Sequence, residues 1–166
     1  MIRRFFRQPS AAYRNHQIAF TVLTLNFVVP AFTYSLLPDQ ALEQFMDVNR
    51  LFGGVAYPFH ESESWLWRHL AAANVMTLGF MCLLLQVNLR RFLPVLVPLT
   101  FMKGYAATSW LIAFIAHSEV PLFLAGAVLD YATCIAFVTF STRAYRDIAG
   151  RPDSDLVPRP FFVRPS

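Results

Sequence analysis

Four stretches of this chain, near residues 16–37, 66–87, 92–116 and 121–141, are each apolar and long enough to cross about 30 Å of hydrocarbon at about 1.5 Å per residue. No other feature limits the fold as much. A backbone inside lipid must pair every N–H and C=O within the protein, which leaves helices or a closed barrel. Barrel strands would be about 10 residues long and alternate in polarity, and these stretches do not. The balance of residues agrees: 56% hydrophobic, 14% charged, 17 phenylalanines, and a positive mean hydropathy of +0.44. A soluble domain of 166 residues needs more charge on its surface. The expected fold is an all-α integral membrane protein. The short turns around "QVNLRR" and "HSEVP" make it an antiparallel up-down four-transmembrane-helix bundle, with Pro121 suited to the first turn of the last helix.

The net charge of +4 raises nucleic acid as a partner, but the charges follow the spans. Arg3, Arg4, Arg7 and Arg14 precede the first span. Arg90 and Arg91 fill the turn between the second and third, and Arg143, Arg146, Arg151, Arg159 and Arg164 follow the fourth. Only Arg50 and Arg68 fall on the other side, together with Asp39, Glu43, Asp47, Glu61, Glu63 and Glu119. By the positive-inside rule both termini are cytoplasmic. The opening "MIRRFFRQ" has the look of a twin-arginine signal, yet a span-length apolar stretch without a small-residue cleavage site follows it. The expectation is an uncleaved first helix.

No linker divides residues 1–149, the four-helix membrane domain. In the first outer segment, "DQALEQFMDVNRLF" puts Leu42, Phe45, Met46 and Phe52 at roughly helical spacing with acids between them, the pattern of a short interfacial helix. "GGVAYPFHESESW" then reads as a loop, with Ser62 or Ser64 available to cap the second span. Trp65, Trp67 and Trp110 fall toward the outer boundary as an aromatic belt. Residues 150–166, "GRPDSDLVPRPFFVRPS" with its initial glycine, form a proline-rich cytoplasmic tail without helical or strand period, and "PFFV" is a hydrophobic anchor within it.

Lys103 is the only lysine, and it lies inside the third span. Counting residues puts both Lys103 and Asp130 of the fourth span near the midplane, where a lone charge costs at least about 2.5–3.5 kcal/mol. Opposite charges on neighbouring helices compensate each other. Asn26 and Asn74 lie within the first two spans, so all four helices are expected to contribute to one intramembrane polar layer: Lys103, Asp130, Asn26 and Asn74. Small residues accompany it: Ala106 and Ala107, Gly126 and Ala127, and Ala71 with Thr77, the spacing that lets helices approach closely. Three readings of the charges stand: a pair that fixes which helices pack and in what register, a proton or ion relay or polar pocket, or a lysine that snorkels toward the cytoplasm.

A second constellation lies on the outer side, where His60, His69, His117 and Glu119 gather with Glu61 and Glu63. Imidazoles and carboxylates are metal ligands, and two histidines on facing helices can hold haem. No HxxxH or HxxH pair fixes a site within one segment, so ordinary interfacial histidines are the other reading; His16 is a boundary residue. No cofactor is required by the sequence. Cys82 and Cys134 sit inside spans without thiol-activating neighbours and read as buried small hydrophobes. There is no P-loop, GxGxxG, HExxH or GxSxG, so no catalytic residue is assigned.

With "PVLVPLTFMKGYA" in the third span and "AGAVLDYATCIAF" in the fourth, the chain resembles small bacterial four-helix membrane proteins of the DoxX-like type. In several of these a Lys-Gly in the third helix accompanies an Asp in the fourth. The resemblance covers most of residues 16–141 and implies a bacterial inner membrane and, for some members, association with quinone-linked redox complexes. The long outer loop and the tail have no counterpart in it. The functional expectation is a non-catalytic accessory or structural subunit of a larger inner-membrane complex. Its partners would be the lipid bilayer and either other membrane subunits or further copies of itself, with no nucleic acid. The alternative is a small transporter or proton-coupled, redox-associated protein that uses the Lys-Asp pair.

Overall fold

The structure, a computed structural model, describes residues 10–55 and 61–152, the side chains of 61–67 excepted. Ser62, Ser64, Trp65, Trp67, His60, Glu61, Glu63, the arginines before Arg14 and the tail from residue 153 therefore lie outside the described residues or side chains. Every regular element among the described residues is helical. They are α1 (Ala11–Leu36), α2 (Pro38–Leu51), α3 (Glu61–Val87), α4 (Leu89–Phe92), a 3-10 turn (Leu93–Val95), α5 (Leu96–Ala116) and α6 (Leu122–Ile148). Four of the helical stretches are long and apolar enough to cross a membrane, with α4, the 3-10 turn and α5 together supplying the third.

Helix α1 starts earlier than hydropathy alone suggests because Ser10 caps it, its hydroxyl accepting the Tyr13 N–H at 3.3 Å. Pro30 lies inside α1 and has no N–H to return to the carbonyl of Asn26, four residues before it. Pro38 sits at the first position of α2, where the missing N–H costs little. Helix α2 matches the expected short amphipathic helix in its sequence range; Ala41 and Asn49 are its buried residues. The third span is not uniform. Asn88 caps α4 by accepting the Arg91 N–H at 3.0 Å, and Pro94 sits in the tighter 3-10 turn before α5 begins. Helix α6 runs beyond the apolar stretch through "TRAYRDI", and the Arg90 guanidinium donates to the Ile148 carbonyl at its end, where a cation suits the helix dipole.

Packing joins the long helices in two pairs. The most extensive contacts are α1 with α3 and α5 with α6, and α1 against α6 connects the pairs, whereas α3 and α5 touch little. One core runs through them: Tyr13, Phe20 and Phe27 of α1, Leu78, Cys82 and Leu85 of α3, Leu99 of α5, and Phe137, Ala144 and Ile148 of α6, with Leu89 of α4. Gly79 lets α1 come close, since a Cβ there would stand 2.8 Å from Val28 Cγ2. Around this core Val22, Leu25, Val29, Val97, Phe101, Ile112, Ile115, Val128 and Ile135 all stay exposed, the inverse of a soluble bundle.

Two polar side chains organise the fold. Gln86, near the end of α3, donates through Nε2 to the Phe20 carbonyl at 2.8 Å and to Thr24 Oγ1 at 2.6 Å. Its Oε1 accepts from Thr21 at 3.0 Å, and its backbone carbonyl accepts from Gln17 Nε2 at 2.9 Å. Asn49 is buried at the end of α2, donating to the Val55 carbonyl at 2.7 Å while its Oδ1 accepts the Leu122 N–H at 3.3 Å. That last bond satisfies a first-turn donor of α6 from a distant segment. Gly54 is needed beside it, because a Cβ would stand 2.4 Å from Asn49 Oδ1. The neighbouring Val55 N–H reaches the Glu119 carbonyl at 3.2 Å, which ties this loop to the turn before α6.

Candidate functional site around Lys103 and Asp130

The site is built on the α5–α6 seam. Ala107 of α5 and Ala127 of α6 are buried, and a Cβ on Gly126 would meet the Trp110 ring at 3.3 Å. Small residues thus bring the two helices close on either side of the polar groups. Lys103 and Asp130 form an ion pair across this seam. Its side chains are 13% and 9% exposed, so the pair is largely but not fully enclosed. The Lys103 ammonium also lies 5.4 Å from the centroid of the Phe27 ring, a cation over the negative face of an aromatic. Tyr34 of α1 is close enough to feel the charge of Asp130, and the Cys134 thiol feels both charges.

Neutral bonds flank the pair. The Cys134 thiol donates to the Thr100 carbonyl at 3.5 Å, and Thr108 Oγ1 and Tyr131 Oη lie 3.0 Å apart in a hydrogen bond. Desolvation penalises each charge while the partner and the ring offset it, so removal of either charge alone leaves the other buried and uncompensated. Chemically the arrangement holds a proton-accepting carboxylate and an ammonium in direct contact, with a phenol nearby.

The structure does not assemble the four-residue layer. Asn26 of α1 and Asn74 of α3 are both exposed, whereas Lys103 and Asp130 are largely enclosed. Ala71 and Thr77, expected to face inward beside Asn74, are exposed as well. The reason is geometric: α3 gives its close-packing face to α1 through Ala72, Gly79 and Gln86, and α5 does not cover the other side. Residue spacing within one helix gives the angle between side chains, but not which neighbour occupies each side.

On the other constellation, His117 Nδ1 lies 3.5 Å from Glu119 Oε1, both exposed, in the turn between α5 and α6. His69 is exposed on α3, and no group of three His, Cys, Asp or Glu side chains among the described residues could hold a metal ion. Both cysteines are free; Cys82 is buried in the core and Cys134 half-buried on the seam. Phe27, Tyr34, Gln86 and Asn49 were not foreseeable as a set. Gln86 carried one signal, an amide inside a run of leucines, and Asn49 carried another, an asparagine shortly before Gly-Gly.

No family model matches this chain, and no curated protein or solved structure matches it. The fold and the site thus define a class by themselves. Among the described residues it is all-helical, with four helices long and apolar enough to cross a membrane, the mark of a multi-pass membrane protein, and a charged pair largely enclosed between two of them.

Proposed function

We propose that the chain is a non-catalytic accessory or structural subunit of a larger inner-membrane complex, an up-down bundle with both termini in the cytoplasm. The observation that carries this reading is Asn26. Its amide is exposed in the middle of α1 among Val22, Leu25 and Val29, and Pro30 leaves its carbonyl without the usual helical donor. A polar spot of this kind facing hydrocarbon calls for a partner helix that supplies hydrogen bonds. Asn74 on α3, flanked by the exposed small residues Ala71 and Thr77, is a second such spot.

The test is cross-linking in native membranes. A photoreactive residue at position 26 should give a specific adduct with another membrane protein or a second copy, and one at the lipid-facing position Ile112 should not. Purification as a monomer from mild detergent, with no adduct at position 26, would sink the proposal.

A second reading is favoured by the incomplete enclosure of Lys103 and Asp130. A small transporter or proton-coupled protein needs such a pair to open to one side. Replacing both charges by apolar groups then abolishes a flux that reconstituted vesicles can report, although the protein still folds.

A further inference from the structure

The arginines at the two ends of the bundle differ in their company. Near α2 and the start of α3 each described arginine has a carboxylate: Arg50 pairs with Asp47, and Arg68 lies 3.7 Å from Asp39. At the other end the Gln17–Gln86 bond, the Arg90–Ile148 bond and the packing of Tyr13 with Leu89 and Ile148 bring together the start of α1, α4 and the end of α6. Arg14, Arg91, Arg143, Arg146 and Arg151 are exposed there, and no ion pair holds any of them among the described residues. Asp147 is the only described carboxylate at this end.

We infer that this collar of arginines binds the phosphate headgroups of anionic phospholipids. The apolar surface directly beside the charges selects a lipid over a soluble acidic partner. Ile18 lies one turn from Arg14 on the same exposed face of α1, and Val138 lies two turns from Arg146 on α6 with Thr142 between them. Val97 stands exposed just beyond Arg91 at the start of α5. Charge above and apolar surface below match a headgroup with its acyl chains. The guanidinium fork suits phosphate oxygens, and several arginines at one surface add to each other. The inference rests on the membrane reading proposed above.

The test uses the full chain in neutral detergent micelles, with binding followed by native mass spectrometry and by the thermal midpoint as phosphatidylglycerol, phosphatidylcholine or inorganic phosphate is added. Phosphatidylglycerol should bind and raise the midpoint, while the other two should do neither. The combined variant Arg91→Gln, Arg143→Gln and Arg146→Gln should bind phosphatidylglycerol roughly a hundredfold more weakly at low salt, at about fivefold per arginine. Arg50→Gln should bind as the parent does, and raised salt should weaken binding in the parent.

Equal binding of the two lipids, or undiminished binding by the triple variant with an unchanged midpoint in neutral micelles, overturns the lipid collar. An equal effect of inorganic phosphate overturns it in favour of a soluble anion. Release of the chain from membranes by alkaline carbonate shows instead that the membrane reading itself fails.

Discussion

Lys103 and Asp130 make opposite demands in single and double substitutions. Lys103→Met alone leaves a largely enclosed carboxylate, and Asp130→Leu alone leaves an ammonium. Each should cost about 3–5 kcal/mol, whereas the double variant should recover most of that loss. Unfolding in mixed micelles with increasing denaturing detergent measures all three. If the double variant is no more stable than the singles, the pair is not the compensating element described above. Gln86 gives a second case. Gln86→Leu keeps the volume but strips partners from the Phe20 carbonyl and the Thr21 and Thr24 hydroxyls. Both threonines keep a bond to a carbonyl of their own helix, so the loss should be at the low end of about 1–3 kcal/mol. The sequence pointed to Lys103 and Asp130 because charge in a span is rare and needs its opposite. It could not separate them from Asn26 and Asn74, since an uncharged amide in a span is tolerated at a buried seam and at a face awaiting a partner.

Close approach between helices rests on particular glycines, and the structure distinguishes them. Gly79→Ala drives a methyl into Val28 and should push α3 off α1, at a cost of about 1–3 kcal/mol. Gly104→Ala meets nothing within 4 Å and should be neutral or stabilising by up to about 1 kcal/mol, through better helix propensity alone. The same detergent unfolding series ranks the two, and a reversed order would contradict the packing of α1 on α3. Existence of the long helices was legible from their apolar runs, as was that of α2 from its spacing of Leu42, Phe45 and Met46. Their ends were not. Caps such as Ser10 and polar extensions such as "TRAYRDI" lie outside the hydrophobic signal, and the break into α4, a 3-10 turn and α5 depends on how Asn88 and Pro94 settle locally. The asparagine before Gly-Gly hinted at a turn, but the role of Asn49 was not legible because its partners, Val55 and Leu122, belong to different segments.

For the whole molecule, the pairing of α1 with α3 and of α5 with α6 makes residue 88 a natural seam. Residues 1–88 and 89–166, expressed together as separate chains, should associate through the α1–α6 contact and co-purify, because the most extensive interfaces lie within each half. Affinity capture of one half with recovery of the other checks this, and failure while both halves accumulate in the membrane would count against the packing order. The sequence supported short turns between consecutive spans but not this order, since turn length says which helices follow one another and nothing about which faces they share.

The Lys103–Asp130 pair lies wholly inside the second half. Its consequence concerns synthesis. On the membrane reading proposed above, the first half offers lipid no charge between Arg14 and Asp39, or between Arg68 and Arg90, so its helices would leave the insertion machinery singly. Helix α5 emerges with a lone ammonium and has its counter-charge only when α6 arrives a helix-length later. In that setting the energetically favourable cargo for release would be the neutralised α5–α6 pair, delivered as one unit.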